Sequence, residues 1–266
     1  MTPAEIVERA LAEDIGTGDI TTELCVSSDR QARGAFRVRE RVVVAGTELL
    51  PLLYERIDFH VNDGTVLEPP QDIARVHGSA RTLLTRERVA LNVLQHLSGI
   101  ATLARKYVDA VEGTGCRILD TRKTTPGLRQ IEKMAARAGG VTNHRLGLFD
   151  AILIKNNHIT AAGGVRAALL AVKNASVPVE IEVRTRAELD DALACGAAHL
   201  LLDNLSPAEA CEWIRQINHR ATVELSGGIT LQTVRAYAET GANFISVGAI
   251  THSAPAVDIH FQLELE

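Results

Sequence analysis

The sequence predicts an α/β protein whose second half is an open or incomplete β/α barrel. Three observations predict it. From about residue 115, short strand-like runs alternate with helical stretches, the signature of parallel strands joined by right-handed crossovers. Each strand-like run ends in polar residues, and the C-terminal strand ends are where a β/α barrel carries its site. The first turn has no glycine fingerprint of a dinucleotide fold, which favours a barrel over a doubly wound sheet; a flavodoxin-like sheet is the alternative. Six or seven strands fall short of eight, so the barrel is expected to stay open.

The first half has a different texture. MTPAEIVERALAED reads as an amphipathic helix, without the shape of a signal peptide. β-rich stretches follow at 35–46 and 73–80, separated by the turn signals Asn62-Asp63-Gly64 and Pro69-Pro70. A long helical pattern then covers 86–111. Arg88, Asn92 and His96 recur on it every four residues, a polar stripe on an otherwise apolar helix. Such a stripe needs partners: it lines a site or subunit interface, or forms a satisfied core network.

In the second half the strand-like runs are CRILD (116–120), AILIK (151–155), VEIEV (179–183), HLLLD (199–203), TVELSG (222–227) and FISVG (244–248). Helical stretches at 127–138, 163–175, 185–195, 206–217 and 230–240 lie between them. Thr185 with Glu188, and Ser206 with Glu209, have capping-box spacing, and Pro207 stands where its missing N–H costs nothing. Gly139-Gly140, Gly196 and Gly241 mark helix ends.

Composition narrows the function. The 266 residues are 46% hydrophobic and 23% charged, which excludes wholesale disorder, collagen and coiled coil. A net charge of −5 and 3% aromatic residues disfavour a general nucleic-acid binder. No apolar run is long enough for a membrane span. Cys25, Cys116, Cys195 and Cys211 are scattered without metal-site spacing, as expected of reduced thiols in a cytoplasmic enzyme.

The polar strand ends sort by charge. Arg122, Lys123, Arg129, His144, Arg145, Lys155 and His158 follow the first two runs, a cationic concentration that suggests an anionic substrate. Arg129 reads equally as solvated, whereas Arg145 and Lys155 have apolar sequence neighbours that favour function. Glu180 and Glu182, two apart, share one strand face. Glu182 and Asp203 could hold Mg²⁺ with a phosphorylated substrate or bind ribose hydroxyls; an internal salt-bridge network is the alternative. SGGIT and SVGAIT close the last two runs, and glycine there lets the backbone approach a phosphate. The residues thus describe a barrel binding a phosphorylated sugar beside a small polyanion, with group transfer by positioning and charge stabilisation.

Six segments carry a family resemblance. LDTRKTTPGLR (119–129), GGVTNHRLGLFDAILIKNNHI (139–159), LLLDN (200–204) and ELSGGI (224–229) resemble the quinolinate phosphoribosyltransferases, also called nicotinate-nucleotide pyrophosphorylases (carboxylating). LAEDIGTGDITT (11–22) and LTRERVALNVLQHLSGIAT (84–102) extend the likeness through nearly the whole chain. The resemblance implies an N-terminal α/β sandwich over 1–112 and an open, about seven-stranded β/α barrel over 113–253. Residues 254–266 are expected to return to the first domain.

It also implies transfer of phosphoribose from phosphoribosyl pyrophosphate to quinolinate, giving nicotinate mononucleotide, CO₂ and pyrophosphate, with Mg²⁺. By position, Arg88, Arg122, His144, Arg145 and Lys155 would surround the quinolinate carboxylates. Lys123 would lie between substrate and pyrophosphate. Glu182 and Asp203 would serve ribose and Mg²⁺, directly or through water, and Ser226, Gly227 and Gly248 the 5′-phosphate. A homodimer is implied, with Arg88 completing the partner's site. Asn156 and Val141 stand where the family pattern has Asp and Gly, which bears on affinity. A relative with a different acceptor, or a non-catalytic phospho-ligand binder, is the competing reading.

Overall fold

Thr2 caps the first helix by accepting the Glu5 N–H, and Glu5 reaches back to the Thr2 N–H. From there the computed structural model, which describes residues 1–266, runs through α1 (Pro3–Ile15), α2 (Ile20–Cys25), β1 (Gln31–Val38), β2 (Val42–Val43), β3 (Arg56–Phe59), β4 (Val66–Leu67), β5 (Asp72–Ser79) and α3 (Ala80–Ala110). It continues with β6 (Arg117–Leu119), α4 (Arg129–Ala138), β7 (Ile152–Ile154), α5 (Asn156–Ala162), α6 (Val165–Ala171), β8 (Val179–Val183) and α7 (Arg186–Ala194). The last elements are β9 (His199–Asp203), α8 (Pro207–Ile217), β10 (Thr222–Ser226), α9 (Val234–Ala238), β11 (Phe244–Ser246), α10 (Ala249–His252) and β12 (Ile259–Leu265). The capping boxes at Thr185–Glu188 and Ser206–Glu209 open α7 and α8.

Contacts divide the chain into two units. Met1–Arg105, Lys123–Gly140 and Ala249–Glu266 form the first; Lys106–Arg122 and Val141–Gly248 form the second. Residues 123–140 therefore group with the first unit, where a division at 112 would put them with the barrel. The cause is local. Buried Glu132 on α4 accepts from His96 Nε2 on α3 at 2.9 Å, and Arg105 Nε donates to the Gly139 carbonyl at 3.1 Å. His96, one member of the polar stripe, is thus satisfied within a core network.

The first unit is built on a four-stranded antiparallel sheet of order β12-β1-β5-β3. The chain's last strand pairs with β1 from Ala32–Leu265 to Val38–Ile259. Phe36 and Phe261 face each other across that pair, with ring centroids 4.9 Å apart. Gly34 makes room for the Phe261 ring: a Cβ there would lie 1.9 Å from a ring carbon. Gln95 of α3 holds the same segment, donating through Nε2 to the Ile259 carbonyl and accepting the Val257 N–H at its own carbonyl.

The second unit contains a six-stranded parallel sheet of order β6-β11-β10-β9-β8-β7. Consecutive strands are neighbours and the first lies beside the last, an arrangement that barrel winding produces and a flavodoxin-like order does not. A parallel bridge from Leu119 to Thr142 marks the seventh position, reduced to one residue on the free side of β6. The seam between Thr142 and β7 stays unpaired, so the barrel is open.

Alternation divides each strand between two environments. Ile118, Ile181, Val183, Leu200, Leu202, Val223, Leu225 and Ile245 are buried, at 2% exposure or less. The alternate positions carry most of the chemistry. Register puts Glu182, Leu201 and Glu224 at one level, and Asp203 beside Ser226 at the next. This face lines the barrel interior, where branched apolar layers would ordinarily fill a closed barrel.

Candidate active site

The cationic side is built on a braced turn. Asp120, fully buried at the end of β6, accepts from Asn143 Nδ2 at 2.6 Å and from the His144 N–H at 2.8 Å. The turn places Arg145 half-buried, with Nη1 donating to the Ala151 carbonyl at 3.2 Å. Burial, and then the charge of nearby Arg122, hold the Arg145 guanidinium below its ordinary pKa, while Asp150 and Glu180 oppose them. A guanidinium held beside a second positive charge favours an anion there.

The 146–150 loop departs from expectation. Asp150 accepts the Leu146 and Gly147 N–H groups at 2.6 and 2.9 Å, and Leu148 and Phe149 turn outward, exposed. Lys155 is also exposed, and its backbone N–H donates to His158 Nδ1 at 2.9 Å. Apolar neighbours in sequence therefore do not enclose Lys155.

His144 points into the barrel. Its Nε2 lies 3.2 Å from Glu180 and 3.4 Å from Glu224, and its Nδ1 accepts the Arg145 N–H at 2.7 Å. Burial opposes charge on this ring, but the two glutamates outweigh it and raise the pKa to about 9. In the neutral ring the Arg145 N–H aimed at Nδ1 leaves the proton on Nε2, toward the two glutamates. Burial, and also the charge of Glu224, push Glu180 upward, with the His144 bond pulling the other way. The three groups are close enough to hold a metal ion. A metal on Nε2 would need a proton on Nδ1, where the backbone N–H already points, and that disfavours it. Below the cluster lies a cavity of about 270 Å³, bounded by Arg117, His199, Thr222 and Phe244 and by the open seam at Thr142 and Ile152.

The acidic side lies at the strand C-termini. Glu182 is buried at 4% exposure, and Asp203 ends β9 with its side chain 19% exposed. Arg184, one residue past β8, donates through Nε and Nη2 to Glu182 Oε1 at 2.8 and 2.7 Å; its Nη2 is 3.9 Å from Asp203 Oδ2. Asp203 Oδ2 also accepts from Asn204 Nδ2 at 2.7 Å. The donor set suits Mg²⁺, which takes one or two carboxylates beside substrate phosphates. The salt-bridge alternative is present as well, through Arg184. The signal for Arg184 was its spacing, two residues beyond Glu182 on the same strand face.

The glycine turns follow β10 and β11. Gly227 has φ +102°, and a Cβ there would lie 2.2 Å from Asn204 Oδ1 and 2.7 Å from its backbone nitrogen, so only glycine fits. Asn204 N–H donates to the Ser226 carbonyl at 2.9 Å, locking the two strand ends together. Ser226 is half-buried, and Gly248 follows β11, where the Val247 N–H donates to the Leu119 carbonyl.

The second unit thus carries Arg122, His144, Arg145, Lys155, Glu182, Asp203, Ser226, Gly227 and Gly248. Arg88 and Lys123 belong to the first unit. Arg88 is exposed on α3. Lys123 is exposed, and its carbonyl accepts from buried Thr251 Oγ1 at 2.7 Å. The departing Val141 is buried beside the Thr142 bridge, and Asn156 opens α5.

Comparison with known proteins matches this arrangement to one family. Residues 19–98 match the quinolinate phosphoribosyl transferase N-terminal domain, and 100–262 its C-terminal domain. The nicotinate-nucleotide pyrophosphorylase [carboxylating] of Mycobacterium leprae is 41% identical, covering 97% of this chain and 96% of its own length. A probable enzyme of the same name from Bacillus subtilis is 38% identical, covering 98% and 93%. The solved nicotinate-nucleotide pyrophosphorylase of Ehrlichia chaffeensis superposes with a TM-score of 0.94 at 35% identity, covering 99% of both chains. The chain belongs to the quinolinate phosphoribosyltransferase family.

Proposed function

We propose that this protein transfers phosphoribose from phosphoribosyl pyrophosphate to quinolinate with loss of CO₂, yielding nicotinate mononucleotide and pyrophosphate for NAD synthesis. The observation that carries the reading is the Arg122–Arg145 pair, gathered at the strand ends of a barrel whose other side offers Glu182, Asp203 and a glycine turn. Two guanidiniums suit an acceptor with two carboxylates, since each planar fork matches a carboxylate. In this reading Lys155 and His144 complete the acceptor side, and Lys123 bridges to the pyrophosphate.

The ring nitrogen attacks C1 of the ribose as the C1–pyrophosphate bond breaks. Positive charge develops on the sugar, where Glu182 and Asp203 favour it. The Gly227 turn, with Ser226 and Gly248, receives the 5′-phosphate through backbone N–H groups. Glu182 and Asp203 would hold Mg²⁺, which when bound would supply charge stabilisation for the pyrophosphate. The N-glycosylated ring nitrogen is then cationic and stabilises the electron pair left on C2 as the C2–carboxylate bond breaks. A proton from water completes C2. The residues supply orientation and charge, and no covalent enzyme intermediate is required.

The same reading makes Arg88 the residue that completes a partner subunit's site in a homodimer, and places the enzyme in the cytoplasm. No helix is long and apolar enough to cross a membrane. The test is paired assays with phosphoribosyl pyrophosphate and Mg²⁺, one with quinolinate and one with nicotinate. Nicotinate mononucleotide from quinolinate alone supports the reading; product from nicotinate assigns a different acceptor.

A further inference from the structure

Arg184 has no role in the reaction as proposed, yet it answers the charge of the donor-side carboxylates. Its guanidinium places two N–H groups on one oxygen of buried Glu182 and reaches toward Asp203. The anchor is fixed from behind: the Arg184 N–H donates to Glu188 Oε2 at 2.7 Å, inside the box that caps α7. The side chain itself is 47% exposed, so its outer edge is free to swing into solvent. A buried carboxylate without a counter-charge is costly, and here the chain carries its own.

We propose that Arg184 is the resident counter-ion of the Glu182–Asp203 pair. It keeps free divalent cation off the two carboxylates and releases them when the phosphoribosyl donor binds, turning its guanidinium to the donor's pyrophosphate. This inference rests on the assignment of Glu182 and Asp203 to the donor. A lone divalent cation would have to displace a guanidinium already seated on Glu182 and would be repelled by it at short range. A cation arriving with pyrophosphate brings its own negative charge, and phosphate oxygens offer the displaced fork an equivalent partner. The prediction is ordered loading, with cation and donor entering together.

The experiment is a Mn²⁺ titration followed by electron paramagnetic resonance, on the full chain, without and then with phosphoribosyl pyrophosphate. Wild type is expected to leave Mn²⁺ free until the donor is added. R184Q is expected to bind one Mn²⁺ per chain without donor, about tenfold or more tighter than wild type. R184K, which keeps the charge, is expected to behave as wild type, and E182Q in the R184Q background to lose the new binding. Donor-independent Mn²⁺ binding by wild type equal to that of R184Q overturns the proposal. So does Mn²⁺ binding by R184Q that survives E182Q. The wild-type titration stands as a test even if R184Q fails to fold, because tight Mn²⁺ binding without donor is itself contrary. The functional reading fails separately: the expected Mn²⁺ pattern without nicotinate mononucleotide formation leaves Arg184 as counter-ion and removes the reaction.

Discussion

Arg145 shows how one residue's position is specified. Its backbone is set by Asp120 and by the His144 ring, and its guanidinium by the Ala151 carbonyl and the nearby charge of Arg122. If it grips an acceptor carboxylate, R145A removes a charge-assisted, two-point contact worth roughly 2–4 kcal/mol. The expected result is a large rise in KM for quinolinate and little change in KM for phosphoribosyl pyrophosphate. Steady-state kinetics with each substrate varied in turn check this, and equal losses for both contradict it. At this scale the sequence showed the cationic residues but not their surroundings. Lys155 looked enclosed because Ile and Leu flank it, yet a residue at a strand exit projects beyond the apolar layer. Arg184 was missed although its spacing of two from Glu182 was legible, because it lies one residue past the strand-like run 179–183.

Elements are held by fewer residues than their lengths suggest. Glu132 joins α3 to the loop before α4, accepting from His96 Nε2 at 2.9 Å and from the Thr125 N–H at 3.0 Å. Burial raises its pKa, but the His96 and Thr125 bonds outweigh that and leave it below the ordinary glutamate value. A depressed carboxylate contributes stability that is present above pH 4.5 and is lost as pH falls through the lower folded value. E132Q keeps an acceptor for Thr125 and forces His96 to offer Nε2 as an acceptor instead. The expected cost is about 1–2 kcal/mol near neutral pH. The gap to wild type should close as pH falls through the folded pKa; denaturant titrations across that range measure it. The helices with capping boxes were legible because capping chemistry is local. α5 was not, since NNHITAA lacks apolar periodicity and its cap is made by Lys155 and His158, not by a Ser/Thr and Glu pair. The seventh barrel strand was not either, because Thr142 contributes one bridge and no strand-length pattern.

At the scale of the whole molecule, alternation with polar strand ends predicted an open barrel, and sheet order and the unpaired seam describe one. The grouping of residues 123–140 with the first unit was not legible, because it depends on the contact between Glu132 and His96, 36 residues apart. The proposed homodimer makes a prediction that a monomeric enzyme does not. R88A and K123A chains should each be inactive alone. Coexpressed, they should recover about a quarter of wild-type activity if subunits pair at random and each mixed dimer has one intact site. Activity no greater than that of the separate variants contradicts a shared site.

In the proposed reaction one barrel site joins glycosyl transfer to decarboxylation of the same acceptor. The most direct measurement uses quinolinate carrying ¹³C in its 2-carboxylate, with phosphoribosyl pyrophosphate and Mg²⁺, following labelled CO₂, pyrophosphate and nicotinate mononucleotide together. Equal amounts of all three, with no label left in the nucleotide, is the predicted result. Pyrophosphate release without labelled CO₂, or a nucleotide that keeps the label, would contradict it.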